Sequence, residues 1–518
     1  MKRDVEQKEN TKNNVTHVII VGILILLQLT WIIVTIYRLN ARYTWLAEFM
    51  SLLSIFIGLS VFGRRMNSGI KMPWIILIMG FPILGLVLYL IFGTPNHTRG
   101  MRERFTKVDD YLFSYLNNDK LVKEQVAFKH PSIAGVSQYL WDYCGFPAFD
   151  DTSVTYFSDT PEALEAMKES MSKASKFIFM EYHAIEDSTA FGELKEILFE
   201  KAAAGLDVRV FYDEVGSMGF LNSSFEKEME AHGVKCRIFN PVAPFLNIFM
   251  NNRDHRKILV VDGKEGFTGG YNLADKYFHR KEAYGFWKDA GLMLQGNACK
   301  VLTALFLEMW NAANNKVSED FDFEDFLTVD NPDFNADGFV QPYGDSPLDD
   351  EHTGENVYLD IINHADKYVY ISTPYLILTD EMVRALTLAA RKGVDVRIIT
   401  PGIPDKKMVY RMTRSYYEPL ARKGVRIYEY TPGFNHAKLM VSDDDIATVG
   451  TINMDYRSLY LHFENGCLLV GCSEIIKIKE DLLNMCSVST EVTDKYLHYK
   501  NLPTRIGYVI MRLFAPLV

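Results

Sequence analysis

HRKILVVDGKEGFTGGYN (255–272) and HAKLMVSDDDIATVGTIN (436–453) decide how this chain is read. Aligned without a gap, they match His255 with His436, Lys257 with Lys438 and Asp262 with Asp443. The match continues through Gly269 with Gly450 and Asn272 with Asn453. One H-x-K-x4-D string could be chance. Two in register, 181 residues apart, mean a duplicated site.

Each string reads as strand, tight turn, strand. Side chains alternate along a strand, so each His and the Lys two residues on are expected on one face. Asp262-Gly263 is a strong turn signal between two apolar runs. Such a turn brings Gly269, Gly270 and Asn272 back beside the His-Lys pair. Upstream, KFIFM (176–180) returns as KYVYI (367–371), and GLDVRVF (205–211) as GVDVRII (393–399). GVKCRIF (233–239) returns as GVRIYEY (424–430). A period this long is a domain duplication and not a solenoid. Strand–helix alternation predicts an α/β chain of two halves, 105–340 and 341–518, each a mixed sheet covered by helices. Between them, residues 318–350 are acidic and rich in Asp, Pro and Gly, and read as a solvated connector.

Residues 1–104 differ in kind. Apolar runs at 18–37, 45–63 and 72–93 predict an α-helical membrane region of two or three spans. Glu48 interrupts the second run, and Pro73 and Pro82 lie in the third, where spanning helices tolerate them. A cleaved signal peptide fits the first run poorly, because it is too long and no small-residue cleavage site follows. Lys and Arg flank the runs almost evenly, so their distribution does not fix an orientation. The net charge of -11 argues against nucleic acid as a partner. None of the six cysteines forms C-x-x-C or lies at zinc-ligand spacing from a histidine, which favours reduced, buried thiols.

Two His, two Lys and two Asn suit phosphodiester chemistry. Lysine and asparagine side chains can stabilise the charge on the non-bridging oxygens. Histidine titrates near neutrality, so one imidazole can attack phosphorus while the other protonates the leaving alkoxide. This design demands no metal. Metal binding is the poorer reading of the histidines, since lysine ammoniums repel a cation and no carboxylate sits at ligand spacing in the sequence. Each imidazole needs a partner on its other nitrogen, and Asp289 and Glu464, one after each motif, are the candidates. The remaining histidines, including His183 and His462, are read as non-catalytic.

With these residues in place, the chain resembles the phospholipase D superfamily, whose paired H-K-D motifs come from two similar halves sharing one active site. More narrowly, the membrane runs, the first motif, GTINMDYRS (450–458) and the tail RIGYVIMRLFAPLV (505–518) resemble bacterial cardiolipin synthases. That resemblance implies transfer of a phosphatidyl group between two phosphatidylglycerol molecules, through a phosphohistidine and without a cofactor. It implies His255 as nucleophile, His436 as general acid, and Lys257, Lys438, Asn272 and Asn453 as phosphate ligands. Asp262 and Asp443 are expected to support the fold around the site. It also implies a multi-pass protein of the bacterial cell membrane. Gly270 departs from the superfamily pattern of Ser or Thr, so one hydroxyl contact to phosphate is expected to be missing. The alternative is a phospholipase D-type hydrolase with water as acceptor. The intact set of His, Lys and Asn speaks against a non-catalytic scaffold. The apolar stretch 244–252 reads either as a lipid-facing loop or as core packing, and the apolar tail 506–518 is expected to lie in the membrane interface.

Overall fold

The computed structural model describes residues 44–513 apart from 65, 94–98, 117–119, 223, 241–251, 314–322, 329–335 and 499, together with residue 515 and six positions between 26 and 38. The expected first span and the apolar stretch 244–252 fall almost wholly outside these residues. The chain divides into two units: residues 101–241 with 252–501, and residues 1–100 with 242–251 and 502–518.

The larger unit carries the duplication. Its first half contains β1 (Ser153–Phe157), β2 (Phe177–Tyr182), β3 (Asp207–Asp213), β4 (Lys235–Phe239), β5 (Arg253–Asp254), β6 (Lys257–Val261), β7 (Glu265–Gly269) and β8 (Gly291–Gln295). The second contains β9 (Phe339–Asp345), β10 (Tyr368–Ser372), β11 (Asp395–Pro401), β12 (Arg426–Tyr430), β13 (Leu439–Ser442), β14 (Ile446–Gly450), β15 (His462–Val470) and β16 (Ser489–Glu491).

The first sheet runs β1-β8-β7-β6-β2-β3-β4. The second runs β9-β15-β14-β13-β10-β11-β12 in the same order, with β16 added at one edge and β5 joined to β15. In both, the β2- and β10-type strands run parallel to the next two strands and antiparallel to the motif hairpin, so each sheet is mixed. The strands are rich in β-branched and aromatic residues that pack well on a pleated surface. The covering helices start where the sequence supplies caps, with Ser188 accepting from the Phe191 amide and Thr379 from the Met382 amide. The helix Cys299–Ala312 is buried nearly all round. It packs against β2, β6 and β7 of the first sheet and β9 of the second.

Two expectations are corrected here. The acidic connector is not wholly solvated: residues 339–345 form β9, buried along its length and paired with β15. Acidic composition masked a strand whose alternate apolar residues, Phe339 and Tyr343, lie in the core. The motif histidines also precede their strands instead of lying in them, since β6 begins at Lys257 and β13 at Leu439. The turn expectation matches the geometry: Asp262 and Gly263 both take positive φ (55° and 68°), as the central pair of a primed-type turn requires, within a three-residue loop between Val261 and Glu265.

In the smaller unit, the second apolar run becomes the helix Thr44–Phe62. The third is broken. Helix Ser68–Gly80 ends at Phe81, and Pro82 starts a separate helix to Leu88, followed by a wider turn over Tyr89–Gly93. Proline has no N–H to continue the ladder, which explains the break at Phe81-Pro82. Among the described residues no helix is long and apolar enough to cross a membrane. The helix Thr44–Phe62 nevertheless exposes Trp45, Phe49, Leu52, Phe56, Leu59 and Phe62, and the helix Leu502–Leu513 exposes Leu502, Ile506, Val509 and Ile510.

Candidate active site

Each half completes the other. The backbone N–H of His255 donates to the Phe463 carbonyl (2.9 Å), and its Nδ1 lies 2.9 Å from both oxygens of Glu464, the next residue along β15. In mirror fashion the His436 N–H donates to the Lys288 carbonyl (2.8 Å), and its Nδ1 lies 2.7 Å from Oδ2 of Asp289. The carboxylate that follows one motif in sequence therefore holds the histidine of the other. With Nδ1 occupied, Nε2 is the nitrogen left to each imidazole for chemistry. Both rings and both carboxylates are buried.

The two carboxylates are fixed differently. Glu464 also accepts from Ser458 Oγ (2.5 Å) and from Thr451 Oγ1. Asp289 accepts from the Ala290 amide (3.0 Å). Gly270, the counterpart of Thr451, has no room for a side chain, because a Cβ there would stand 2.0 Å from Asp289 Oδ1. The Thr451 hydroxyl supports a carboxylate, and glycine in the first half makes space for one.

The lysines are wholly buried beside the imidazoles. Lys257 Nζ donates to the His255 carbonyl (2.7 Å). Lys438 Nζ donates to the His436 carbonyl (2.5 Å) and lies 2.9 and 3.1 Å from the two ring nitrogens. Burial lowers Lys257 to about 8, against the pull of Glu464 and other carboxylates. Burial lowers Lys438 to about 7, with Asp289 opposing. Burial, then the charge of Lys438, takes His436 down to about 4 despite Asp289, and burial with Lys257 holds His255 well below the ordinary histidine range. Burial would raise Asp289, but His436 and Lys438 outweigh it and hold the carboxyl low.

The asparagines and aspartates divide into two uses. Asn272 Nδ2 donates to the Tyr277 hydroxyl (2.9 Å) and its Oδ1 accepts from the Ala184 amide, while among the described residues the buried Oδ1 of Asn453 has no hydrogen-bond partner. Asp262 lies at the far end of its hairpin, accepting from the amides of Ser175, Lys176 and Phe177 and from the Ser175 hydroxyl. Asp443 does the same for the amides of Asp366, Lys367 and Tyr368. Both aspartates tie the turn to the start of the neighbouring strand, β2 or β10.

Several neighbours lie beyond what the sequence shows. The His183 ring centroid is 4.9 Å from that of His255 and the His462 centroid 5.5 Å, while Tyr277 and Trp287 each stand 5.5 Å from His436. His183 lies just beyond β2, a strand end at the site, which is the one signal that points to it. His255, His462 and Glu464 also place donor atoms within 4.8 Å of one another, so ligand spacing exists in space where the sequence shows none. The adjacent ammoniums of Lys257 and Lys438 weigh against a dication there.

Residues 167–310 and 358–485 match a family model described as cardiolipin synthase, PLD-like domain. Residues 51–93 match one described as phospholipase D-nuclease N-terminal. The chain is 32% identical over 463 residues to a cardiolipin synthase 2 of Bacillus cereus, covering 89% of each chain. It is 31% identical over 472 residues to a cardiolipin synthase of Halalkalibacterium halodurans, covering 90% of this chain and 92% of that one. An uncharacterized protein of Streptococcus mutans is 42% identical over 455 residues, covering 88% of this chain and 98% of the relative. Among solved structures, a phosphatidylserine synthase of Haemophilus influenzae shares the fold, with TM-score 0.55, 14% identity, and coverage of 74% of this chain and 99% of that one.

Proposed function

Because the chain belongs to the cardiolipin synthase family built on phospholipase D-like domains, we propose that it makes cardiolipin and glycerol from two molecules of phosphatidylglycerol. The observation that carries the reading is the crossed pair of buried imidazole–carboxylate contacts, one from each half.

In the first step His255 Nε2 attacks phosphorus and the P–O bond to the glycerol headgroup breaks. His436 gives its proton to the departing glycerol oxygen. In the second step a primary hydroxyl of another phosphatidylglycerol attacks the phosphohistidine, His436 takes its proton, and the P–N bond breaks. The exchange is close to isoergic, so no nucleotide enters. Burial and the charge of Lys438 hold His436 down to about 4 without substrate, and the negative charge of a phosphodiester beside it raises its pKa towards the acid role. Lys257, Lys438, Asn272 and Asn453 hold the non-bridging oxygens, Asn272 by exchanging Tyr277 for phosphate. Glu464 and Asp289 set the tautomer that leaves Nε2 free, and Asp262 and Asp443 brace the hairpins.

The apolar stripes on Thr44–Phe62 and Leu502–Leu513 support membrane association, with the N-terminal region as a multi-pass anchor in the bacterial cell membrane. The test is incubation of the purified protein with phosphatidylglycerol alone, without nucleotide or added metal, followed by lipid mass spectrometry. Cardiolipin with an equimolar yield of glycerol supports transfer. Phosphatidic acid as the dominant product would assign the protein to the hydrolases.

A further inference from the structure

A transferase that joins two phosphatidylglycerol molecules must hold two phosphates. The imidazoles and buried lysines account for the one that reacts. In cardiolipin the two phosphates are separated by the three carbons of a glycerol bridge. The acceptor's phosphate must therefore rest a short distance from the reacting phosphorus, and it needs donors of its own.

One cluster beside His436 has such donors to spare. The loop between β7 and β8 carries Lys276, Tyr277 and Trp287. The Lys276 ammonium lies 5.1 Å from the Trp287 ring centroid, 5.2 Å from that of Tyr277 and 5.9 Å from that of Phe220. Tyr277 and Trp287 also stand beside His436, so this ammonium and the imidazole share the same two aromatic neighbours. Among the described residues Lys276 makes no hydrogen bond and has no carboxylate within 4.0 Å, although it is half-buried. Glu186 and Asp405 are near enough to be felt, as are Lys281 and Lys406, but none of them pairs with it. Trp287 is 4% exposed, and its indole N–H has no partner either. A buried indole N–H without a partner, beside an ammonium that no carboxylate neutralises, is a poor arrangement for a closed core. The pair suits an anion whose alkyl ester groups lie on the rings. A further ammonium, Lys406, stands 5.6 Å from the ring of Tyr375, which approaches Phe434 beside Trp287.

We infer that Lys276 and the Trp287 indole N–H form the binding site for the phosphodiester of the acceptor phosphatidylglycerol, seating its glycerol hydroxyl for attack on the phosphohistidine. This rests on the transfer reading above and adds the acceptor's anchor to it. The site favours a lipid acceptor over water because only the lipid brings a second phosphate. Lys276 touches no reacting atom; it positions the acceptor.

The experiment compares two reactions of the full-length protein in phosphatidylglycerol vesicles: cardiolipin synthesis, and exchange of labelled free glycerol into phosphatidylglycerol. Both pass through the same covalent intermediate, but the glycerol acceptor has no phosphate. Lys276→Gln is expected to lower the ratio of cardiolipin synthesis to glycerol exchange at least tenfold. Lys276→Arg should restore most of that ratio, and Trp287→Phe should lower it about threefold, the scale of one lost hydrogen bond. An equal fall of both reactions in Lys276→Gln, or no change in either, overturns the assignment. A wild-type protein that exchanges glycerol yet makes no cardiolipin overturns the cardiolipin reading itself, which is a different result.

Discussion

The two halves of the site match in backbone and differ in surroundings. Each histidine takes its backbone bond and its carboxylate from the opposite half. Around His255, however, stand two further imidazoles, His183 and His462, and a glutamate held by two hydroxyls. Around His436 stand aromatic rings and an aspartate packed so close to residue 270 that only glycine fits there. The lesson is that a duplicated motif supplies the same reactive atoms twice, and the residues outside the motif decide which copy attacks and which donates.

That comparison can be broken most sharply at the histidines. His255→Ala and His436→Ala should each reduce cardiolipin synthesis by on the order of a thousandfold or more, as expected when an attacking group or its proton donor is lost. Their covalent chemistry should diverge. Acid-labile, alkali-stable phosphoenzyme is expected from wild type and His436→Ala and not from His255→Ala. Labelling of His255→Ala would reverse the roles of the halves.

The carboxylates come next. Glu464→Gln and Asp289→Asn should each lower kcat by on the order of a hundredfold, through the wrong imidazole tautomer, with little change in KM. Because Glu464 also receives Thr451 and Ser458, its replacement should lower the thermal midpoint more than that of Asp289, measurable by calorimetry. Equal losses of stability would mean that the added hydroxyls contribute nothing.

The hydroxyl–glycine exchange tests the same asymmetry. Gly270→Thr should cost roughly tenfold or more in activity, because its Cβ must displace Asp289 from His436. Thr451→Gly removes one of several donors to Glu464 and should cost less. If Thr451→Gly proves the more damaging in a kinetic assay, the account of position 270 is wrong.

The smallest effect is in the pH profile. Lys438 and Lys257 have pKa values lowered to about 7 and 8, so each loses its proton as pH rises through that window and stops neutralising phosphate. The profile of kcat/KM should therefore fall on its alkaline side from about pH 7 to 8. The limb for kcat should lie higher, since bound phosphodiester favours the ammonium form. An alkaline limb near the ordinary lysine value would show that burial does not tune these groups.

Much of this arrangement is legible in the sequence. The doubled motif locates both histidines, both lysines, the hairpin turns and the repeated strands, because strand periodicity and turn chemistry are local. Asp289 and Glu464 are identifiable as partners, but their crossing is not, since nothing in a linear string shows which half faces which. β9 escapes notice because Asp and Gly at its ends resemble loop composition, while its pairing with β15 is non-local. The third apolar run reads as one span because hydropathy does not register the break at Phe81-Pro82. Tyr277 and Trp287 reach the site by tertiary packing, whereas His183 is marked by its place just beyond β2 and His462 by sharing β15 with Glu464.

The crossed contacts give the molecule a pseudo-twofold axis, and with it the logic of an isologous interface: what one side offers, the other returns. The active site is then a docking surface internal to one polypeptide, and neither half holds a correctly oriented imidazole by itself. A half that folds early, or is released by cleavage in the intervening segment, carries an attacking group without its orienting carboxylate. An oriented pair of imidazoles thus exists only once both halves have met.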